Sequence, residues 1–264
     1  MEPFLKWAGG KRWLTRSVEN LAPVDFNQYI EPFLGGGSVF FHIAPARGVI
    51  NDRNRDLMNM YRVLRDQPIQ LRDMLRWHQS KHSDKHYYCV RAESPPCKLQ
   101  RAARFLYLNR ACWNGLYRVN RFGKFNVPKG TKSKIFFESD DYVEASRLLK
   151  RMRLKATDFE RIIDSASCGD FIFVDPPYTV KHNINGFVRY NESIFSWEDQ
   201  ERLADSIQKA MSRGCKIAVT NADHESIRSL YGFADYQPIY RSSVIAGDAA
   251  KRCDTTEAFF TVNY

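Results

Sequence analysis

No run in the 264 residues approaches the ~18 consecutive apolar positions that a membrane-spanning helix needs, so no helical span is expected. The opening residues, Met1-Glu2-Pro3-Phe4-Leu5-Lys6, hold no basic stretch followed by an apolar one. No secretory leader is expected, and the chain should work in the cytoplasm where it is made. The six cysteines include no Cys-x-x-Cys pair, which leaves free thiols of a reducing compartment. Internal repeats and low-complexity tracts are missing. There is no Gly-x-Ser-x-Gly elbow, which removes Ser38 as a hydrolase nucleophile. Gly10-Lys11 opens no phosphate loop, because Leu5 stands where the first glycine should be and Arg12 where Ser or Thr should follow.

The most informative shortage is of acids. Between Ser94 and Phe137 there is no Asp or Glu, while the same 44 residues hold ten bases: Lys98, Arg101, Arg104, Arg110, Arg118, Arg121, Lys124, Lys129, Lys132 and Lys134. The chain has 40 Lys and Arg against 30 Asp and Glu, so removing this block leaves 30 against 30. A surplus gathered in one block reads as a footprint for a polyanion rather than as a solubility device.

What is present supports an α/β protein. Hydrophobic residues make up 44% of the chain, enough for a sizeable core. Gln28–Phe33 reads as a strand, Val39–Ile43 as a helix, Val49–Asp52 as a second strand, and Arg55–Arg65 has helical spacing. The segment 66–139 breaks this alternation. It is expected to be an inserted recognition domain of two helices and a basic, Gly/Asn/Pro-punctuated hairpin. The catalytic domain is then 1–65 with 140–264, where Arg153–Ala156, Phe171–Val174, Lys216–Thr220 and Ala258–Val262 read as strands and Trp197–Arg213 as a helix. Strands separated by helices predict a mainly parallel sheet with helices on both faces.

Two motifs carry chemistry. Glu31-Pro32-Phe33-Leu34-Gly35-Gly36-Gly37-Ser38 is a glycine turn between strand and helix, and Asp52 lies at the end of the next strand, where a carboxylate can grip ribose hydroxyls. Alone, it reads equally well as an ordinary glycine-rich turn. Asp175-Pro176-Pro177-Tyr178 follows an apolar strand at the carboxyl end, where α/β sheets place their ligands. Two prolines stiffen the turn and remove two N–H donors, leaving the Asp175 carboxylate and the Pro176 carbonyl as acceptors beside an aromatic ring. That array suits a planar group carrying an NH2; the alternative is a rigid turn with a capping Asp. His78, His82 and His86 stand four apart on one expected helical face, but with Lys81 and Lys85 beside them they read as solvated imidazoles rather than a metal site.

In this order along the chain, these motifs resemble the Dam-type N6-adenine DNA methyltransferases. The match begins at Phe4-Leu5-Lys6-Trp7-Ala8-Gly9-Gly10-Lys11 and continues through the glycine turn. It also takes in Tyr107-Leu108-Asn109-Arg110, Asn114-Gly115-Leu116-Tyr117-Arg118 and Phe125-Asn126-Val127-Pro128 before the catalytic Asp175, Pro176, Pro177 and Tyr178. The resemblance implies a Rossmann-like sheet, S-adenosylmethionine as methyl donor, no metal, and double-stranded DNA as substrate in a bacterial or phage setting. It implies that Trp7, Ala8, Gly9 and Lys11 hold the methionine end, that Pro32, Phe33, Gly35, Gly37 and Ser38 line the cosubstrate, that Asp52 takes its ribose, and that Asp158 and Phe159 take its adenine. Asp175 is expected to touch the cosubstrate as well. On DNA it implies base contacts from Lys6, Leu116, Arg118 and Pro128, an intercalating Trp113 with Asn114 beside it, and backbone contacts from Arg91, Arg110, Asn120 and Asn126.

Trp113 departs from the usual Tyr or Phe. Lys129-Gly130-Thr131-Lys132 lacks the family's aromatic and Arg, and the tail Asp248 to Asp254 lacks its aromatic. The expected site is GATC. Other readings are an adenine methylase of another or no preference, an RNA or protein-amide methyltransferase, and a non-catalytic DNA-binding module. A monomer is expected in solution.

Overall fold

The computed structural model describes residues 1–18, 21–120, 122–181, 195–242 and 254–264. Arg121 and the tail residues 248–253 named above lie outside the described residues. The chain divides into two compact units: Met1–Thr15, Leu34–Gly48 and Asp52–Ala156 form one, and Arg16–Phe33, Val49–Asn51 and Thr157–Tyr264 the other. The segment 66–139 lies wholly within the first.

Helices are α1 (Leu14–Ser17), α2 (Ser38–Ile43), α3 (Arg55–Asp66), α4 (Pro68–Lys81), α5 (Asp84–Ala92), α6 (Lys98–Ala111), α7 (Tyr142–Lys150), α8 (Phe159–Asp164), α9 (Trp197–Ser212) and α10 (Glu225–Leu230). Strands are β1 (Tyr29–Glu31), β2 (Gly48–Asn51), β3 (Met152–Lys155), β4 (Phe171–Val174), β5 (Lys216–Ala222), β6 (Asp235–Ser242) and β7 (Asp254–Val262). The sheet order is β3-β2-β1-β4-β5-β7-β6. This is the α/β sheet expected of an S-adenosylmethionine-dependent methyltransferase fold.

In the first unit α3 packs on α6 and α7, and α4 and α5 pack on α6. The Asn54 side chain caps α3 by accepting from the amides of Asp56 and Leu57, and Ser83 caps α5 by accepting from His86 N. Segment 66–139 holds three helices where periodicity predicts two. The break falls at His82 and Ser83, whose extended backbone ends α4 and caps α5. The three histidines therefore do not share one helical face. His78 lies on α4 and His86 on α5, their rings 3.0 Å apart at Nδ1 and Nε2, and His82 bonds the Tyr107 hydroxyl at 2.9 Å.

In the second unit β4 is parallel to both β1 and β5. All four β4 residues are buried, as expected where both faces of a strand are covered. Its core joins Ile172, Val174, Ile217 and Val219 of the strands to Ile162, Ile163, Leu203 and Ile207 of α8 and α9. Ser196 and Asp199 form a reciprocal cap on α9. Beyond β5 the sheet turns antiparallel: β7 runs antiparallel to β5, and β6, which the periodicity does not announce, pairs antiparallel beyond it. Pro238 lies within β6 and breaks the strand pattern. A strand with Pro is tolerated at a sheet edge, and that is where β6 lies.

Candidate active site

In the second unit, β4 delivers Asp175 at its carboxyl end, and later elements hold the turn that follows. The Thr220 hydroxyl of β5 donates to Asp175 Oδ1 at 2.7 Å. The Tyr178 hydroxyl donates to Glu257 Oε2 of β7 at 2.6 Å. Gln200 of α9 donates to the Pro177 carbonyl at 3.3 Å, and Asn221 donates to Gln200 Oε1 at 3.1 Å. Gln200, Thr220 and Asn221 are fully buried. Burial, with the nearby charges of Asp175 and Glu257, pushes the Tyr178 phenol far above its ordinary range. It stays protonated and donating. The turn is thus a preset array of acceptors beside a neutral ring.

The same unit places Phe33, Phe159 and Phe195 in one aromatic cluster, with Phe33 5.3 Å from Phe159 and 5.6 Å from Phe195 between centroids. Asp158 caps α8 through Glu160 N and takes both terminal nitrogens of Arg202, whose guanidinium lies 4.4 Å over the Phe159 ring. Asn51, fully buried at the end of β2, donates to the carbonyls of Pro32 and Thr157 and accepts from Thr157 N.

In the first unit, Gly35 and Gly37 both have left-handed backbones, at φ 49° and 70°. A Cβ on Gly35 would stand 2.8 Å from the Trp7 ring, so only glycine fits against Trp7. Trp7 itself stacks on Tyr117 at 5.6 Å and Phe105 at 6.2 Å. Asp52 accepts from Gly35 N at 3.0 Å and from Asn54 N at 2.8 Å, one bond to each oxygen. Burial raises its carboxyl above the usual range against the pull of those two amides. Each oxygen of a carboxylate has two lone pairs, so two further donors can be taken. Lys11 is buried and donates to the Gly9 carbonyl at 3.1 Å, Ser38 opens α2, and Ala8 and Gly9 are exposed.

The expected DNA-facing residues also lie in the first unit. Asn109, buried on α6, accepts from Lys6 N and donates to the carbonyls of Lys6 and Gly115, which sets Lys6 beside the Asn114–Leu116 turn. Lys132 lies against Lys6, whose amine, with burial, pushes the Lys132 ammonium down to about 8. The expected hairpin is present. Val119 bridges Phe125 antiparallel, Asn126 N donates to the Arg118 carbonyl, and Asn120 Oδ1 accepts from the amides of Phe122 and Lys124. Arg118 is exposed and donates to Asn126 Oδ1 at 3.0 Å. Trp113 is exposed and its amide donates to the Pro128 carbonyl, while Arg91 donates to Val127 O and lies over the Tyr88 ring.

Arg110 is placed differently. Its side chain is 5% exposed, and its guanidinium donates to Phe4 O, Ile135 O and Asp140 Oδ2. The structure commits it to protein acceptors rather than to a surface. Arg101 and Arg104 likewise bond backbone carbonyls. Part of the acid-free block therefore ties the fold together.

Periodicity and motif spacing miss Thr220, Gln200, Glu257, Asn51 and Arg202, because each reaches its site residue across the fold. The capping pattern Ser196-x-x-Asp199 announces the helix that carries Gln200 and Arg202, but not their partners.

With this geometry in hand, the family model of the D12 class N6 adenine-specific DNA methyltransferases matches residues 7–244, and the chain belongs to that family. It is a DNA methyltransferase of the adenine-N6 type. The type II methyltransferase M1.LlaDCHI of Lactococcus lactis subsp. cremoris is 35% identical, over 100% of this chain and 96% of that protein. The DNA adenine methylase of Vibrio cholerae is 31% identical over 98% of this chain and 95% of that protein. The DNA N-6-adenine-methyltransferase of Escherichia phage P1 is 35% identical over 92% of this chain and 33% of its own length. No helix among the described residues is long and apolar enough to cross a membrane.

Proposed function

We propose that this chain transfers a methyl group from S-adenosylmethionine to N6 of an adenine flipped out of duplex DNA, within GATC. The observation that carries the reading is Asp175, fixed by Thr220 at the end of a doubly buried strand, beside a phenol pinned by Glu257.

When bound, S-adenosylmethionine supplies an electrophilic methyl group. The chain's residues fit it. Asp52 keeps lone pairs for two ribose hydroxyls, and the left-handed Gly35 and Gly37 leave backbone uncovered by side chains. Trp7, Ala8, Gly9 and Lys11 take the methionine end, and Pro32, Phe33 and Ser38 line the cosubstrate. Phe159 takes the adenine ring. Asp158, which accepts from Glu160 N at Oδ1 and from Arg202 at both oxygens, stands beside that ring.

An adenine N6 lone pair is delocalised into the ring and weakly nucleophilic, and inside a duplex it is out of reach, so the base must leave the stack. Asp175 and the Pro176 carbonyl accept the two N6 hydrogens as the nitrogen pyramidalises. Tyr178 stacks on the base. Catalysis is positioning plus acceptors complementary to developing positive charge, with no covalent enzyme intermediate. On the DNA, Arg118 reads a guanine, Lys6, Leu116 and Pro128 touch other bases, Trp113 enters between base steps beside Asn114, and Arg91, Asn120 and Asn126 hold the backbone. Segment 66–139 is the recognition part, and the enzyme acts as a monomer in the cytoplasm. The test is methyl transfer from tritiated S-adenosylmethionine offered to duplex DNA, RNA and protein. Label in duplex DNA alone supports the reading, and label in RNA or protein alone overturns it.

A further inference from the structure

We propose that Glu257 is a positioning residue for the methyl transfer: its bond to the Tyr178 hydroxyl holds the phenol ring in the one orientation that receives the target adenine. The inference rests on the adenine-methylation reading above and adds a residue that no motif in the chain marks.

Glu257 is an acid inside an apolar strand segment, followed by Ala258, Phe259 and Phe260, and is only 5% exposed. Burying a carboxylate is costly unless strong hydrogen bonds compensate it. One such bond is the 2.6 Å contact from the Tyr178 hydroxyl, which is short and charge-assisted. Strand register explains the meeting. Glu257 pairs with Ala222 and Phe259 with Thr220, so residues 220, 222, 257 and 259 share one face of the sheet. Thr220 and Glu257 thus reach the Asp175 turn from the same face, Thr220 at the acid and the phenol and Glu257 at the phenol.

The two anchors do different things. Thr220 fixes the carboxylate, and Gln200 fixes the backbone between it and the tyrosine. Gln200 acts on the backbone, whereas the Thr220 hydroxyl reaches the phenol as well as the carboxylate. Glu257 adds the short, charge-assisted bond that the Tyr178 hydroxyl donates at the far end of the ring. Burial together with the carboxylates of Asp175 and Glu257 keeps the phenol neutral, so the donor does not switch off near neutral pH. A ring already oriented loses no rotamer freedom when a base stacks on it, and that preorganisation appears in the rate of the chemical step.

The test is a double-mutant cycle on kcat with duplex DNA, using Glu257→Ala, Tyr178→Phe and the double variant, with Glu257→Gln as the conservative exchange. Glu257→Ala is expected to lower kcat about tenfold, the scale of one charge-assisted bond lost in the transition state. KM for S-adenosylmethionine should not move. Tyr178→Phe, which keeps the ring, should lose about as much, and adding Glu257→Ala to it should cost less than about twofold more. Glu257→Gln keeps an acceptor and should recover most of the loss. Equal losses from Glu257→Ala in both backgrounds would mean that Glu257 acts on something other than the ring, and would overturn the proposal. A Gln variant as damaged as Ala would overturn it too. If Glu257→Ala does not fold, Tyr178→Phe alone decides, since an unchanged kcat in that variant is incompatible with the role. Wild-type protein that leaves duplex adenine unmethylated instead overturns the reading beneath the proposal.

Discussion

Thr220 donates its hydroxyl to Oδ1 of Asp175 at 2.7 Å across two adjacent parallel strands. The acid that the proposed mechanism assigns to amine recognition is therefore oriented before any substrate arrives. Asp175→Ala is expected to abolish methylation while leaving DNA binding largely intact. Thr220→Val preserves shape and removes only the donor. Hydrogen bonds to charged groups contribute roughly 1.5–3 kcal/mol, so kcat should fall about tenfold or more with folding retained. Single-turnover rates on duplex DNA measure both, and wild-type turnover in Asp175→Ala would exclude the mechanism.

Asp52 holds the amides of Gly35 and Asn54, and in the proposed function it also takes the ribose hydroxyls. Asp52→Ala should weaken S-adenosylmethionine binding by about tenfold or more, on the same charged-bond scale. Calorimetric titration checks this, and unchanged affinity would place the ribose grip elsewhere.

The proposed readout separates Arg118 from its neighbours. Arg118 is exposed on the hairpin, and its guanidinium can bind guanine O6 and N7 together. Arg118→Ala should cost roughly 1–3 kcal/mol and relax preference at one guanine. Lys124, exposed on the same hairpin, serves as the backbone control: its Ala variant should weaken all sequences alike and reduce the salt slope by about 1. Arg110→Ala should instead destabilise the fold by about 3–5 kcal/mol, because Asp140 loses its buried ion-pair partner. Rates on GATC and on duplexes with one pair changed, alongside urea melts, distinguish the three. If Arg118→Ala keeps the wild-type ratio, Arg118 is only a phosphate clamp.

The histidine group gives the first unit an acid-sensitive component. Burial, then the neighbouring His86, lowers His78 from the usual 6.5 to about 4. A base with a depressed folded pKa is neutral in the fold and takes its proton on unfolding. Its contribution is present above pH 6.5 and is lost as pH falls toward about 4. Urea midpoints should drop across that window, and less steeply in His78→Phe. Equal slopes for both proteins would show that His78 does not carry the effect.

How much was legible in the sequence follows from the range of each interaction. Asp175 is visible because an apolar run buried on both faces ends directly before it, and Gly35 and Asp52 because a turn and the next strand end lie close in the chain. The hairpin around Arg118 is likewise announced by local Gly and Asn. Glu257 and Thr220 are not visible, since only the pairing of β5 with β4 and of β7 with β5 brings them to the turn. Arg110 shows the opposite failure. Its place in the basic block and in the family resemblance put it with the DNA-facing bases, but neither reveals which way a helix faces, and α6 turns it inward to Phe4 and Asp140. Pro238 hid β6 because proline masks an edge strand as readily as it excludes a central one.

The central claim is adenine-N6 methylation of duplex DNA with Asp175 as the amine acceptor. Base-resolved mapping of N6-methyladenine, in duplex DNA incubated with S-adenosylmethionine and either wild-type protein or Asp175→Ala, tests it most directly. The account predicts methyl groups on the adenine of GATC with wild type and none with Asp175→Ala. Methylated cytosine, unmodified adenine, or equal adenine methylation by both proteins would contradict it.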